Sequence, residues 1–101
     1  MQMRVGSGSV LGSTVRIDEI EWTGDRMEHI AQHSITPVEV EEVFGSARVF
    51  KRGRGGVYEA WGQTVSGRYL LVIFRYLGHN RAWPITAREM DENEKRYFRK
   101  S

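Results

Sequence analysis

The stretch YLLVIFRYLGHNRAWPITAR, residues 69–88, decides the fold. Tyr69 to Leu77 is apolar at consecutive positions, so both faces of the strand it predicts are covered, which places it centrally in a sheet. Gly78, His79 and Asn80 supply a short connection containing glycine, and Arg81 to Ala87 reads as a strand returning antiparallel beside the first. Pro84 has no amide to donate to a ladder, so it marks an edge or a bulge in that last strand. Ile85-Thr86-Ala87-Arg88 then leads into a charged helix expected over Glu89 to Arg99, with Met90 and Phe98, and Tyr97 beside them, docked on the sheet. Asp91, Glu92, Glu94, Lys95 and Arg96 are expected to stay wet. Arginines and a tyrosine thus stand at the ends of an antiparallel sheet, a layout suited to gripping a phosphodiester.

Working outward, Ala47 to Lys51 and Val57 to Val65 are two further strands, separated by Arg52 to Gly56 and followed by Ser66-Gly67. The four strands predict an antiparallel meander. Upstream, Thr36 has the side chain of a helix cap, Pro37 sits at the first helical position, Glu39 is three residues past the cap, and Gly45 follows the apolar pair Val43 and Phe44. An earlier helix is expected over Asp25 to His33, capped by Thr23 or Asp25, with Met27, Ile30 and Ala31 as its apolar stripe. Val15 to Trp22 alternates as a strand with Val15 and Ile17 inward, joined by Ile20 and Trp22. Residues 1–14 have linker composition, and Val10 and Leu11 can add only a short edge strand. The predicted architecture is an α+β domain over residues 15–101, behind a flexible leader of residues 1–14: an N-terminal strand, two helices, a four-stranded antiparallel meander and a C-terminal helix.

Composition narrows the function. The 101 residues hold no cysteine, which excludes a disulfide framework, a thiolate nucleophile and a cysteine zinc site, and is compatible with a reducing cytoplasm. No apolar run approaches the roughly 20 residues of a membrane-spanning helix. The net charge of +2 conceals an acidic first half and a basic second half: every lysine, and all arginines but Arg4, Arg16 and Arg26, follow residue 46. Neither a phosphate loop ending in Lys-Ser/Thr nor a paired-carboxylate metal constellation is present, so nucleotide hydrolysis and metal catalysis are unsupported.

The order of motifs resembles the BrnT-type toxins of bacterial toxin-antitoxin systems. The residues that carry the resemblance are Glu21-Trp22, His33, Thr36 to Gly45, Gly62, Gly67-Arg68, the apolar strand Leu70 to Phe74, Arg81, Ile85 to Arg88, and Glu94 to Tyr97. Membership implies a fold like that of the RelE-like ribonuclease toxins and a small cytoplasmic RNA-cleaving enzyme, needing no cofactor and held inactive by a cognate antitoxin. The chain departs from the family in its first helix, where His29 stands near an asparagine position and Gln32 at that of the last lysine.

Metal-free RNA cleavage needs a base for the 2′-hydroxyl, cations for the charge of the pentacoordinate phosphate and an acid for the 5′-oxygen. His33 is the acid-base candidate, with a helix-end histidine touching only the dipole as its structural alternative. Arg68, Arg81 and Arg88 are the phosphate candidates, each also readable as an ion-paired or solvated surface charge. Tyr97 can orient the scissile phosphate or pack in the core. Glu59 shares strand parity with Trp61 and is a weaker base. Lys51, Arg52 and Arg54, in a glycine-rich turn, and Trp83, as a stacking platform like Trp61, are the RNA-binding candidates. Two other classes stay open: a non-catalytic nucleic-acid or antitoxin-binding module, and a structural partner domain.

Overall fold

In the computed structural model, which describes residues 2–4 and 17–101, the apolar run from Tyr69 is a central strand. The elements are β1 (Gln2–Arg4), β2 (Glu19–Glu21), α1 (Gly24–Ala31), α2 (Pro37–Ser46), β3 (Val49–Arg52), β4 (Val57–Gln63), β5 (Tyr69–Gly78), β6 (Arg81–Glu89) and α3 (Glu92–Arg99); a turn of 3-10 helix, Arg54–Gly56, links β3 to β4. The fold is α+β, and among the described residues the sheet order is β1-β2-β6-β5-β4-β3. β3 to β6 form the antiparallel meander that the short connections predict. The other side of the sheet is different: β2 runs parallel to β6, and β1 pairs antiparallel with β2, so the sheet is mixed. β1 falls within the segment read as a leader. Val10, Leu11 and Val15 lie outside the described residues.

Thr36 and Glu39 form the expected capping box, with Thr36 Oγ1 accepting from the Glu39 amide at 3.1 Å and Glu39 Oε1 accepting from the Thr36 amide at 3.0 Å. Gly45 does not end α2. The helix continues to Ser46, whose Oγ lies 2.9 Å from the Glu42 carbonyl and 2.7 Å from that of Gln63, and accepts from the Gln63 amide, so the terminus is fastened to β4. α1 stops at Ala31, two residues before His33, in a turn that ends with Ser34 at φ 59°, and Ala31 faces solvent rather than the core. At the other end of the chain Glu89 still belongs to β6, and α3 begins after Asp91, which forms a second capping box with Glu94.

Strand alternation sorts the apolar residues onto two sides. Ile20, Trp22, Ile30, Ile35, Val40, Val43 and Phe44 pack with Ala60, Leu70, Val72, Phe74, Ala82 and Ala87 on the side covered by α1 and α2. On the opposite side Val49, Trp61, Leu71, Met90 and Phe98 form a smaller cluster beneath α3. An eight-residue helix covers only part of a sheet face.

Candidate functional site

β6 carries the decisive irregularity. Ile73 pairs with Thr86 and Phe74 with Pro84, leaving Ile85 as the extra residue of a bulge. Pro84 is therefore at a bulge, and it lies beyond the two rungs, at Arg81 and Ala82, through which β2 covers the other side of β6. An uninterrupted strand would put Arg88 on the face of Ala82 and Pro84. The bulge reverses the alternation and brings Thr86 and Arg88 onto the face of Leu71 and Ile73, the side of α3.

Several chemically active groups converge there. Arg88 makes a fork-to-fork pair with Glu94, Nη1 to Oε1 at 2.7 Å and Nη2 to Oε2 at 2.8 Å. The Arg88 guanidinium holds the Glu94 carboxylate below its ordinary pKa, with the Asp91 amide and the Lys51 charge adding to the effect against burial. Glu94 in turn raises the pKa of Arg88, which the charges of Glu59 and Asp91 also favour. Lys51, paired across β3 and β4 with Glu59, places its Nζ 4.6 Å from the Trp61 ring centre and 4.7 Å from that of Tyr97. The two rings meet edge to face at 5.7 Å. Trp61 Nε1 donates to Glu59 Oε1 at 3.0 Å, fixing that carboxylate on the same face.

Of the site residues predicted from sequence, Lys51, Arg88 and Tyr97 come together, and the others stand elsewhere. Arg68 reaches to the helix side, donating from Nη1 to Glu39 Oε2 at 2.8 Å and to the Ser34 carbonyl at 3.0 Å. Arg81 pairs with Glu21 at 2.8 Å, at the far end of β6, roughly 20 Å from Arg88 by strand rise. The three arginines expected in one anion site are thus held by three different carboxylates. His33 is exposed at the end of α1, with its ring 5.6 Å from that of His29. Arg52 shares the side of Tyr58 under the helices, and Arg54 is exposed in the 3-10 turn. Trp83 is half-buried with the Arg26 guanidinium 4.9 Å above it, while Trp61, only 4% exposed, is packed away from any base-stacking role. Tyr97 is 53% exposed and does not join the core.

Glu94 is the residue the sequence reading missed; it is an ion-pair partner and not a solvated charge. Its signal was the Asp91-x-x-Glu94 spacing, which announces a capping box and a helix start two residues after β6. Among the described residues no three His, Asp or Glu side chains group as a metal site, and no helix is long and apolar enough to cross a membrane. No protein-family model matches the chain, and no curated protein matches it.

Proposed function

We propose that this chain is a metal-independent ribonuclease toxin of the BrnT type, RelE-like in arrangement, that cleaves mRNA in the cytoplasm and is restrained by a cognate antitoxin. The observation that carries the proposal is the meeting of a carboxylate, an ammonium, a guanidinium and a phenol, from Glu59, Lys51, Arg88 and Tyr97, on one partly uncovered sheet face. Glu59 takes the proton of the 2′-hydroxyl as that oxygen attacks phosphorus, Arg88 and Lys51 offset the growing negative charge, and the bond to the 5′-oxygen breaks as that oxygen takes a proton from solvent water, whose hydroxide recovers the proton held by Glu59. Exposed Tyr97 orients the phosphate, and Arg54 extends the cationic path along the turn beyond β3. The face supports Glu59 over His33 as the base, because His33 stands at the end of α1 away from this cluster.

The test is growth arrest on expression, with cleavage assayed on purified RNA. Arg88→Ala and Glu59→Gln should each lower the cleavage rate by about 100-fold or more, and His33→Ala should leave it near the parent value. Cleavage indifferent to Arg88 and Glu59 would remove the assignment. One feature favours a second reading, a non-catalytic module that binds RNA or the antitoxin: Arg88 and Glu59 already have partners, in Glu94 and Trp61. Such a module would bind RNA and leave it intact.

A further inference from the structure

We propose that Glu94 occupies the phosphate seat of Arg88 in the free protein, so that an RNA phosphate is admitted only by displacing this carboxylate. The proposal rests on reading Arg88 as a phosphate-binding residue, but not on catalysis. Its basis is geometric. Glu94 engages both terminal nitrogens of Arg88 with two oxygens at 2.7 and 2.8 Å, the same planar fork that an oxyanion of phosphate would use. Both ligands cannot hold it at once.

Glu94 is also not free to swing aside. Its Oε1 accepts from the Asp91 amide at 2.9 Å, and the Asp91 side chain accepts from the Glu94 amide at 2.8 Å, so the competitor is built into the start of α3. Its side chain is 17% exposed, against 79% for neighbouring Glu92, which pairs only loosely with Lys95 at 3.4 Å. An internal phosphodiester brings one negative charge and replaces one, so Arg88 alone gives it no advantage over a carboxylate already in place. Displacement must be driven by contacts elsewhere on the strand, to Lys51, Tyr97 and the cationic turn. A terminal phosphate, with nearly two charges at neutral pH, competes better at the same seat. Glu94 therefore sets the threshold that a ligand must pass.

The experiment measures binding of a short, fluorescently labelled 2′-O-methyl RNA, which cannot be cleaved by 2′-oxygen attack, to the full chain. Glutamine at the third helical position preserves a capping box, so Glu94→Gln removes the charge without the cap. It should bind about tenfold tighter than the parent. Glu92→Gln makes the same change in net charge without touching Arg88 and should gain about twofold at most. In the Arg88→Gln background the gain from Glu94→Gln should vanish. Glu94→Asp, which keeps the charge but draws the carboxylate back, gives a second reading should the glutamine variant fold poorly, and should also bind tighter. The proposal is overturned if Glu94→Gln binds no better than Glu92→Gln, or if its gain persists without Arg88. Loss of the nuclease assignment would instead appear as intact unmethylated RNA, with this binding pattern unchanged.

Discussion

Gly62 lies where α2 and β4 approach closely: a Cβ there would lie 2.5 Å from the Val43 carbonyl oxygen and 2.8 Å from Ser46 Oγ. Neither neighbour is the loose end of a long side chain, because Ser46 is fastened to both α2 and β4. Gly62→Ala should therefore destabilise the protein by about 1–3 kcal/mol, read from the midpoint of urea unfolding at unchanged slope. A result within a few tenths of the parent would mean that α2 can lift off β4 at little cost. Individual residues also mark where sequence reading fails. The pairing of Arg68 with Glu39 spans 29 positions and that of Arg81 with Glu21 spans 60, and no local pattern reveals partners so distant. Arginine can be recognised as a phosphate ligand by its type, but whether a carboxylate already holds it depends on the tertiary structure.

At the level of the element, both capping boxes were written in the sequence, as Thr36-x-x-Glu39 and Asp91-x-x-Glu94, and the first fixed the start of α2. The second was hidden because the ladder continues through Glu89, where the sequence after Ile85-Thr86-Ala87-Arg88 reads as already helical. Pro84 announced an edge or a bulge, but the position of the bulge at Ile85 decides which face Arg88 takes, and a register is settled only by the partner strand. The boxes also shape the acid response. Burial opposes ionisation of Glu39, but the Thr36 amide and Arg68 outweigh it and hold its pKa down; Glu94 is held down chiefly by Arg88. Carboxylates with depressed folded values stabilise the native state above their unfolded pKa and lose that contribution as pH falls through the folded one. The thermal midpoint should accordingly begin to drop below about pH 4.3 and go on dropping, and the decline should be shallower in Glu39→Gln. A midpoint equally steep in parent and variant would deny Glu39 that role.

Across the whole molecule the division of charge seen in the sequence follows the elements, with Arg68 and Arg81 reaching from the basic half to Glu39 and Glu21 of the acidic half. The acidic half supplies β2, α1 and α2, and the basic half supplies the meander and α3. Three phosphate contacts, from Lys51, Arg54 and Arg88, should make the logarithm of RNA affinity fall against the logarithm of salt concentration with a slope of about −2, and Arg54→Ala should lessen that slope by about 0.7. An affinity insensitive to salt would exclude the face as a phosphate path. The antiparallel meander was legible because its connections are short; the parallel placement of β2 was not, because three residues of alternation carry no information about a partner some sixty positions away. That placement has a bearing on how the protein is made. β2 is joined to β6 by two rungs, Glu19 to Arg81 and Ile20 to Ala82, and the amides of Asp18 and Glu19 both donate to the Asn80 carbonyl. During synthesis the segment around Ile20 emerges some sixty residues before its docking strand, so closing this long loop is a late and slow event in forming this sheet. Until then Ile20 and Trp22 lack the β6 residues they pack against, and this part of the nascent chain is open to proteases and to self-association.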